Sequence, residues 1–326
     1  MQGDSVRAGL LSALSGLAGR RRLVIFTYHR ILEEADPVLP GEPTGTFFEQ
    51  QLRWIADLLN VLPLPEATAS LAAGRLPPRA ACITFDDGYR NNYEIAAPIL
   101  NRYGLPATFF IATGALETGA MWNDLIIESV RRCGRRFDLR KFELGDHPIG
   151  SERERVAVVD RTLDAMKYMP VDERFERARE IYETFCGREG PALMMTPRML
   201  HSLVEQGHDV GAHTVTHPIL KAVDDERARN EINQSRDWLM RATGRSPTSF
   251  AYPNGRPGVD FDERHRDMVR AAGFTCAVST EWGCARPNSD SMSLPRFTPW
   301  ETTRDGFVMR LAKTYVQSYA PLRSAA

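Results

Sequence analysis

Long hydrophobic runs are absent from this sequence of 326 residues. No uncharged apolar stretch reaches the roughly 18 residues that a membrane-spanning helix needs, so we expect no integral membrane protein. An excess of charge is also absent, because 41 basic and 42 acidic residues leave a formal net charge of −1. A chain so close to neutral has no overall attraction for nucleic acid, and we expect no nucleic-acid partner.

Cysteines are few, and a typical secretory leader is lacking. The five cysteines are an odd number, are widely spaced and form no CxxC pair, which argues against a disulfide framework and against a cysteine zinc site. Near the N-terminus, Asp4 comes early and the arginines at 20–22 follow the apolar part, which is the wrong order for export. The sequence therefore predicts a cytoplasmic protein.

What the sequence does contain is an alternation of short apolar runs and amphipathic stretches. Six runs have the length and composition of strands: 23–28, 81–85, 107–112, 209–212, 248–252 and 274–279. Five stretches between them have apolar residues at helical spacing: 47–59, 92–103, 197–206, 226–243 and 261–272. This alternation indicates βα units around a parallel sheet, arranged as a barrel or as a doubly wound sheet.

Residues 116–195 interrupt this alternation. They include no convincing strand, and their apolar residues mark two charged amphipathic helices separated by Met169 and Pro170. We interpret the region as a helical insertion after one strand. Such connections build the active-site face of an α/β barrel, so the insertion is expected to shape a substrate groove or lid. A solvated helical appendage is the alternative.

Two adjacent carboxylates, Asp86 and Asp87, follow a predicted strand in the segment TFDDGY (84–89). Burial of unpaired carboxylates is costly, so a metal or another counter-charge is expected if both are buried. Gly88 permits a turn that directs both side chains into one pocket. A turn with hydrated carboxylates is the alternative.

Two histidines, His213 and His217, follow another predicted strand in the segment HTVTHP (213–218). Their spacing places them on one side of a helical turn, and paired neutral imidazoles are common ligands for zinc and similar ions. Thr214 stands where a zincin protease carries its glutamate base, which argues against that class. Asp87 as a third ligand would complete an open hydrolytic site, whereas two histidines that only cap a turn are the alternative.

These segments resemble the motifs of a known family. TFDDG (84–88) and HTVTH (213–217) are similar to the first two motifs of the polysaccharide deacetylases, which form carbohydrate esterase family four and carry the nodulation-type chitooligosaccharide deacetylase homology domain. FAYPNG (250–255) resembles the third motif, and the segments LPATFFI (105–111) and GHDVGAHTVTHP (207–218) agree as well.

The resemblance implies an α/β fold, a distorted (β/α)7-type barrel over residues 23–326 with a helical insertion at about 116–195. It also implies a metal-dependent hydrolase that removes acetyl groups from an N-acetylated or O-acetylated carbohydrate. The residues carried over from the motifs are Asp86 as general base and Asp87, His213 and His217 as ligands of one divalent ion. Zinc is the expected ion, and cobalt, nickel or iron suit the same ligands.

Two positions depart from the family pattern. The third motif commonly carries an arginine that orients the catalytic aspartate, and Ala251 stands there instead. A late Leu-x-His motif normally supplies the general acid, and in this chain Arg296 occupies the histidine position. Because a leaving amine must receive a proton, amide hydrolysis needs an acid from elsewhere.

His29 is the candidate for that acid. It follows the first predicted strand in a Tyr-His pair, which resembles a feature of the family's poly-N-acetylglucosamine deacetylases, and the resemblance implies that this histidine is the acid. We hypothesise that Arg296 in turn replaces the missing arginine beside Asp86. A neutral, hydrogen-bonded histidine at the barrel mouth is the alternative.

Substrate contacts are predicted near the strand ends and at the start of the insertion. Flat aromatic rings suit sugar rings, although core packing is their more frequent use, and Tyr89, Trp122 and Tyr252 are the candidates. The resemblance also places oxyanion donors in the backbone around Asn254.

The expected substrate is an acetylated oligosaccharide, polysaccharide or lipid-linked glycan of exopolysaccharide or glycan metabolism. Two alternatives remain. Similar barrels hydrolyse small cyclic amides and ureides, and a family member without its usual acid and arginine can be a non-catalytic glycan-binding module. The intact Asp86 argues against the second, because metal binding requires Asp87 but not a neighbouring base.

The N-terminal residues 1–22 predict a helical extension. Five apolar side chains fall along one helical face and three arginines follow, a pattern that suits a helix lying on an anionic membrane surface. Residues 6–22 would then make a peripheral contact at the inner membrane surface, where a lipid-linked glycan is an attractive substrate. Packing against the barrel is the alternative.

Overall fold

The computed structural model describes residues 22–316. At its centre, seven strands follow one another around a barrel in the order β1-β3-β4-β7-β8-β9-β10, and every neighbouring pair is parallel. These strands are β1 (Leu23–Tyr28), β3 (Ala80–Phe85), β4 (Thr108–Ile111), β7 (Asp209–Ala212), β8 (Ser249–Ala251), β9 (Cys276–Trp282) and β10 (Leu294–Arg296). A two-residue strand, β2 (Asn60–Val61), also pairs with β3.

The first and last strands of this sheet meet. The backbone N–H of Thr27 donates to the carbonyl of Phe297 at 3.0 Å, and the N–H of Phe297 donates to the carbonyl of Ile25 at 2.8 Å. The segment directly after β10 therefore closes the sheet against β1. This nearly closed, parallel barrel confirms the predicted fold class.

Helices connect the strands on the outside of the barrel. They are α1 (Gly45–Leu58), α2 (Leu64–Ala72), α3 (Ala97–Arg102), α4 (Thr113–Thr118), α8 (Pro197–Glu205), α9 (Asp225–Thr243), α10 (Glu263–Ala271) and α11 (Arg304–Val316). A π-helical turn, Asn92–Ala96, precedes α3. Local sequence determines several helix starts: the side chains of Thr44, Thr196 and Asp224 each accept a hydrogen bond from the backbone N–H three residues later.

Between β4 and β7 the chain leaves the barrel and builds three further helices, α5 (Trp122–Arg132), α6 (Glu152–Met166) and α7 (Val171–Cys186). They pack around an apolar cluster of their own, which includes Ile126, Phe137 and Ile181. The expectation of no strand here is wrong, because β5 (Arg136–Asp138) and β6 (Asp146–Pro148) form an antiparallel hairpin. These three-residue strands are largely polar and pair only with each other, so they carry little hydrophobic pattern.

Five elements of the barrel escaped the sequence analysis: β2, α2, α4, β10 and α11. Strand β10 has three residues with Pro295 at its centre, and a proline normally argues against a central strand. Its pairing with β9 is irregular there, since the register shifts between Leu294 and Arg296. In the part of the chain that is described, no helix combines the length and apolar character needed to cross a bilayer. The predicted N-terminal helix and its membrane contact at 6–22 lie outside the described residues, except for Arg22.

Candidate functional site

Asp87, His213 and His217 meet at the carboxyl ends of β3 and β7. Asp87 Oδ1 lies 3.4 Å from His213 Nε2 and 3.6 Å from His217 Nε2, and the two imidazole nitrogens are 3.1 Å apart. Asp87 Oδ1 is buried and accepts no hydrogen bond from any residue between 22 and 316. A buried, unpartnered carboxylate oxygen that faces two imidazole nitrogens fits a divalent cation, and all three ligand atoms lie within 4.8 Å of one another.

The hydrogen bonding of one imidazole and the protonation of the other suit this use. His213 Nδ1 lies 2.7 Å from the carbonyl oxygen of Ala251 and donates its proton there, which leaves the lone pair of Nε2 directed at the cluster. Burial, assisted by the neighbouring His213, lowers the pKa of His217 to about 3, so its imidazole is neutral near pH 7.

The backbone around the ligands is held in unusual conformations. Asp87, Thr214 and His217 have positive φ angles of 75°, 65° and 54°, a region that side-chain-bearing residues rarely adopt. The buried carboxylate of Glu231 on α9 supports the histidine turn: it accepts hydrogen bonds from the backbone N–H groups of residues 215 and 216, both at 2.8 Å, and from the hydroxyl of Thr216 at 2.6 Å. Strain of this kind concentrates at functional sites, where the surrounding contacts must enforce it.

Next to the ligand Asp87, Asp86 forms a buried ion pair with Arg296. The Nη1 and Nη2 atoms of Arg296 lie 2.7 and 2.6 Å from the two oxygens of Asp86, and its Nε donates to the carbonyl of Ser279 at 2.8 Å. Burial alone raises the pKa of Asp86, but the guanidinium outweighs this effect and holds the pKa below its usual value. Asp86 is therefore an oriented carboxylate at neutral pH.

His29 lies at the same end of the barrel, one residue beyond β1. The backbone N–H of Asp86 donates to the carbonyl of Tyr28 at 2.9 Å, so the ends of β1 and β3 are aligned. His29 Nε2 is 4.0 Å from Asp86 Oδ2, and the side chain is 46% exposed. An exposed imidazole within reach of Asp86 can carry a proton to or from a bound molecule.

A cavity of about 540 Å³ is lined by His29, Asp86 and the three residues of the ligand cluster, whereas Arg296 lies behind Asp86. Of the predicted substrate contacts, Trp122, Tyr252 and Asn254 line it. The ring of Tyr252 stacks on Phe261 at 3.7 Å, and Asn254 has a positive φ of 58°. The insertion forms one wall through residues of α5, α6 and α7 and the turn between α6 and α7: Trp122, Asn123, Asp160, Leu163, Asp164, Lys167 and Arg174.

A sequence model of one protein family, polysaccharide deacetylase, matches residues 73–277, well over half of the chain. The chain belongs to this family. Among curated relatives, the poly-beta-1,6-N-acetyl-D-glucosamine N-deacetylase of Staphylococcus aureus is 34% identical over 250 residues, which cover 76% of this chain and 64% of that protein. The chain thus spans less than two thirds of the length of that relative.

Solved structures of deacetylases share the fold. The Streptococcus pyogenes deacetylase PplD superimposes with a TM-score of 0.61 at 19% identity and covers 91% of this chain and 99% of that one. IcaB from Ammonifex degensii gives a TM-score of 0.56, also at 19% identity, and covers 90% of this chain and 97% of that one. At such identities the likeness concerns the fold.

An arginine does lie beside Asp86, although position 251 carries none. At that position, Ala251 offers only its backbone carbonyl, which orients His213. The guanidinium beside Asp86 comes instead from Arg296 on β10, two strands further along the sheet. The same arginine also occupies the position of the histidine in the family's late Leu-x-His motif. Arg296 is therefore involved in both departures from the family pattern, the one at position 251 and the one at position 296.

Tyr89 is the predicted substrate contact that the structure does not place in the cavity. Its side chain is buried in a small apolar cluster, its hydroxyl donates to Asp124 at 3.0 Å, and its ring lies under the guanidinium of Arg30. Tyr89 connects the end of β1 to α5 of the insertion. Tyr89 is close to the two aspartates in sequence, which was misleading. The turn at Gly88, with a φ of 93°, directs the side chain of Tyr89 away from the cavity that the aspartates line.

Several cavity residues had no recognisable sequence pattern: Thr280, Asp160, Asp164, Lys167 and Arg174. All but Thr280 belong to the insertion, outside the segments that resemble the family motifs. Their charges are typical of any solvated helix, so only the position of the insertion after a barrel strand could have pointed to them.

Proposed function

We propose that this protein is a metal-dependent carbohydrate deacetylase that removes N-acetyl groups from a polymer or oligomer of N-acetylglucosamine. The proposal is carried by one observation: the Asp87, His213 and His217 cluster shares a cavity with the Asp86–Arg296 ion pair and with His29. The name of the Staphylococcus aureus relative supports the choice of sugar.

Asp87, His213 and His217 would hold the cation, and zinc suits this set of one carboxylate and two imidazoles. A cation at this position supplies Lewis-acid polarisation of the acetyl carbonyl and a lowered pKa for the attacking water. Asp86 accepts a proton from the attacking water as the oxygen of the water bonds to the carbonyl carbon. Arg296 keeps both oxygens of Asp86 in place, so the carboxylate does not have to reorient during the reaction.

His29 would complete the hydrolysis. As the C–N bond breaks, Nε2 of His29 donates a proton to the departing nitrogen, which leaves as an amine while acetate forms. Trp122 presents a half-buried aromatic ring to the sugar, whereas the ring of Tyr252 is only 1% exposed and supports the cavity wall. The backbone around Asn254 would donate hydrogen bonds to the carbonyl oxygen as it gains negative charge.

Acetate release tests the proposal directly. We expect the purified protein to release acetate from β-1,6-linked N-acetylglucosamine oligomers, to lose this activity after treatment with a chelator, and to regain it when zinc is added back. An unrelated acetylated amide of similar size serves as the control substrate. If the metal-loaded protein releases no acetate from any acetylated sugar, the proposed function is wrong.

Replacement of His29 by alanine should lower kcat by about 10²- to 10⁴-fold, the usual contribution of a general acid. The metal content should be unchanged, because His29 is not part of the ligand cluster. His201→Ala is the matched control, since this exposed histidine lies on α8 and pairs with Glu205. A near-normal kcat for His29→Ala, with metal bound, would remove the assigned role.

A further inference from the structure

Arg174 on α7 is a buried arginine without a counter-charge. It is only 3% exposed, as deeply buried as the arginines at 30 and 296. Those two have a carboxylate within 4 Å, whereas Arg174 has none among the described residues. Burial lowers the pKa of Arg174 to about 10, and no neighbouring acid opposes the shift. The side chain remains positively charged at neutral pH.

The contacts of Arg174 leave one edge of its guanidinium unused. Nη1 donates to the carbonyl of Lys167 at 2.9 Å, and the group lies over the ring of Trp122 at 4.7 Å. Nε and Nη2 are buried and have no hydrogen-bond partner anywhere in residues 22–316. These are the two nitrogens with which Arg256 holds both oxygens of Asp260, at 3.0 and 3.2 Å. The unused edge of Arg174 is thus the one that binds a planar pair of oxygens.

The acidic residues within two positions of Arg174 on the same helix pair with other arginines. Asp172 pairs with Arg227 at 3.2 Å, Glu173 pairs with Arg177 at 3.5 Å, and Glu176 pairs with Arg179. Asp160 and Asp164 line the catalytic cavity from α6, but both are exposed and neither lies within 4 Å of the guanidinium nitrogens. The described part of the chain therefore buries this charge at a cost and supplies no carboxylate to pair with it.

Arg174 also lies where two cavities adjoin. It lines the catalytic cavity of about 540 Å³ and a neighbouring, more apolar cavity of about 310 Å³ between α4 and α7. Met121, Trp122 and His217 line both cavities as well. A molecule that reaches the Asp87, His213 and His217 cluster is therefore next to Arg174.

We propose that Arg174 binds an anionic substituent, a carboxylate or a phosphate ester, on the glycan whose acetyl group is positioned at Asp87, His213 and His217. This inference rests on the proposed function, and it narrows the substrate class to N-acetylglucosamine-containing glycans that carry an acidic substituent. An entering anion supplies the partner that the guanidinium lacks, so its binding is favoured over that of a neutral sugar.

Binding can be measured without turnover by using sugars that carry no acetyl group. Calorimetry on the metal-loaded protein compares glucose 1-phosphate, glucuronic acid and neutral glucose, so the two acidic probes distinguish the phosphate from the carboxylate source. We expect at least one acidic probe to bind about 10-fold or more tightly than glucose. This comparison uses the wild-type protein alone and does not depend on the folding of a variant. Equal binding of all three probes would overturn the inference.

Variants assign the effect to Arg174. Arg174→Gln should weaken the preferred acidic probe by about 10-fold or more and leave glucose unchanged, and Arg174→Lys should restore part of the affinity. Arg179→Gln is the matched control, because Arg179 is an exposed arginine on the same helix. Arg174→Met should melt at the same temperature as the wild type or higher, since it removes an unpaired buried charge. Unchanged affinity in Arg174→Gln would contradict the inference.

Acetate release then separates this inference from the proposed function. N-acetylglucosamine 1-phosphate and N-acetylmuramic acid are the acidic substrates, and N-acetylglucosamine is the neutral one. A higher kcat/KM for an acidic substrate, lost in Arg174→Gln, supports both ideas. Equal activity on all three keeps the deacetylase and removes the anion site. Anion binding that depends on Arg174, without acetate release from any substrate, keeps the anion site and removes the deacetylase.

Discussion

Asp87→Asn is expected to remove the bound metal and to lower kcat by about 10³-fold or more. Asp87 is the only anionic ligand of the cluster, and its Oδ1 lies 3.4 and 3.6 Å from the two imidazole nitrogens. A neutral amide in its place leaves the cation with no compensating charge in a buried site. Lewis-acid stabilisation is worth several kcal/mol, and each 1.4 kcal/mol or so corresponds to a tenfold change in rate.

The measurement is the metal content of the protein after gel filtration, by mass spectrometry, together with acetate release. Asp160→Asn is the matched control, because Asp160 lines the same cavity but lies outside the ligand cluster. It should keep its metal. A full equivalent of metal retained by Asp87→Asn would show that the cluster is not the binding site.

Arg296→Met is expected to destabilise the fold and to inactivate the enzyme at the same time. It leaves Asp86 as a buried carboxylate without its counter-charge, which costs about 3–5 kcal/mol of the free energy of unfolding. The aspartate would then bind a proton to avoid that cost, and a protonated carboxyl cannot act as a base. We expect kcat to fall by about 10²- to 10⁴-fold, as for the loss of a general base.

The double variant Arg296→Met with Asp86→Asn separates the two effects. Removing the unpaired charge should recover part of the stability in a denaturant titration, whereas acetate release should stay absent. Arg310→Met is a comparison variant, because this arginine lies on α11 and pairs with Glu301 away from Asp86. If Arg296→Met keeps normal stability and activity, the ion pair is not required for either.

Local patterns predicted most of the barrel. Runs such as 23–28 and 81–85 coincide with strands β1 and β3 to within one residue, because a buried parallel strand carries few polar residues. Strand β10 lacks such a run and contains a proline, and it is held in the sheet by β9 on one side and, through Phe297, by β1 on the other. Its place in the barrel is a tertiary effect that no short window of sequence records.

The candidate site was predictable where motifs carry it. Spacing and resemblance brought together the ligands Asp87, His213 and His217, and the absence of two expected residues drew attention to His29 and Arg296. The position of Arg174 in the cavity could not be predicted from the sequence, for a different reason. Whether an arginine of a charged helix faces solvent or a cavity depends on how the insertion packs against the barrel, and the helical pattern alone does not contain that information.

The barrel closes through its last strand, β10, and this strand carries Arg296, the partner of Asp86. The site is therefore completed late in synthesis. All three metal ligands have been made once residue 217 has left the ribosome, yet the partner of Asp86 comes 210 positions after it. At typical rates of 5–20 residues per second, the 79 residues from 217 to 296 take roughly 4 to 16 s. A growing chain thus contains all three metal ligands before it contains the arginine that orients the base Asp86. Metal can therefore bind before the site is able to catalyse the reaction.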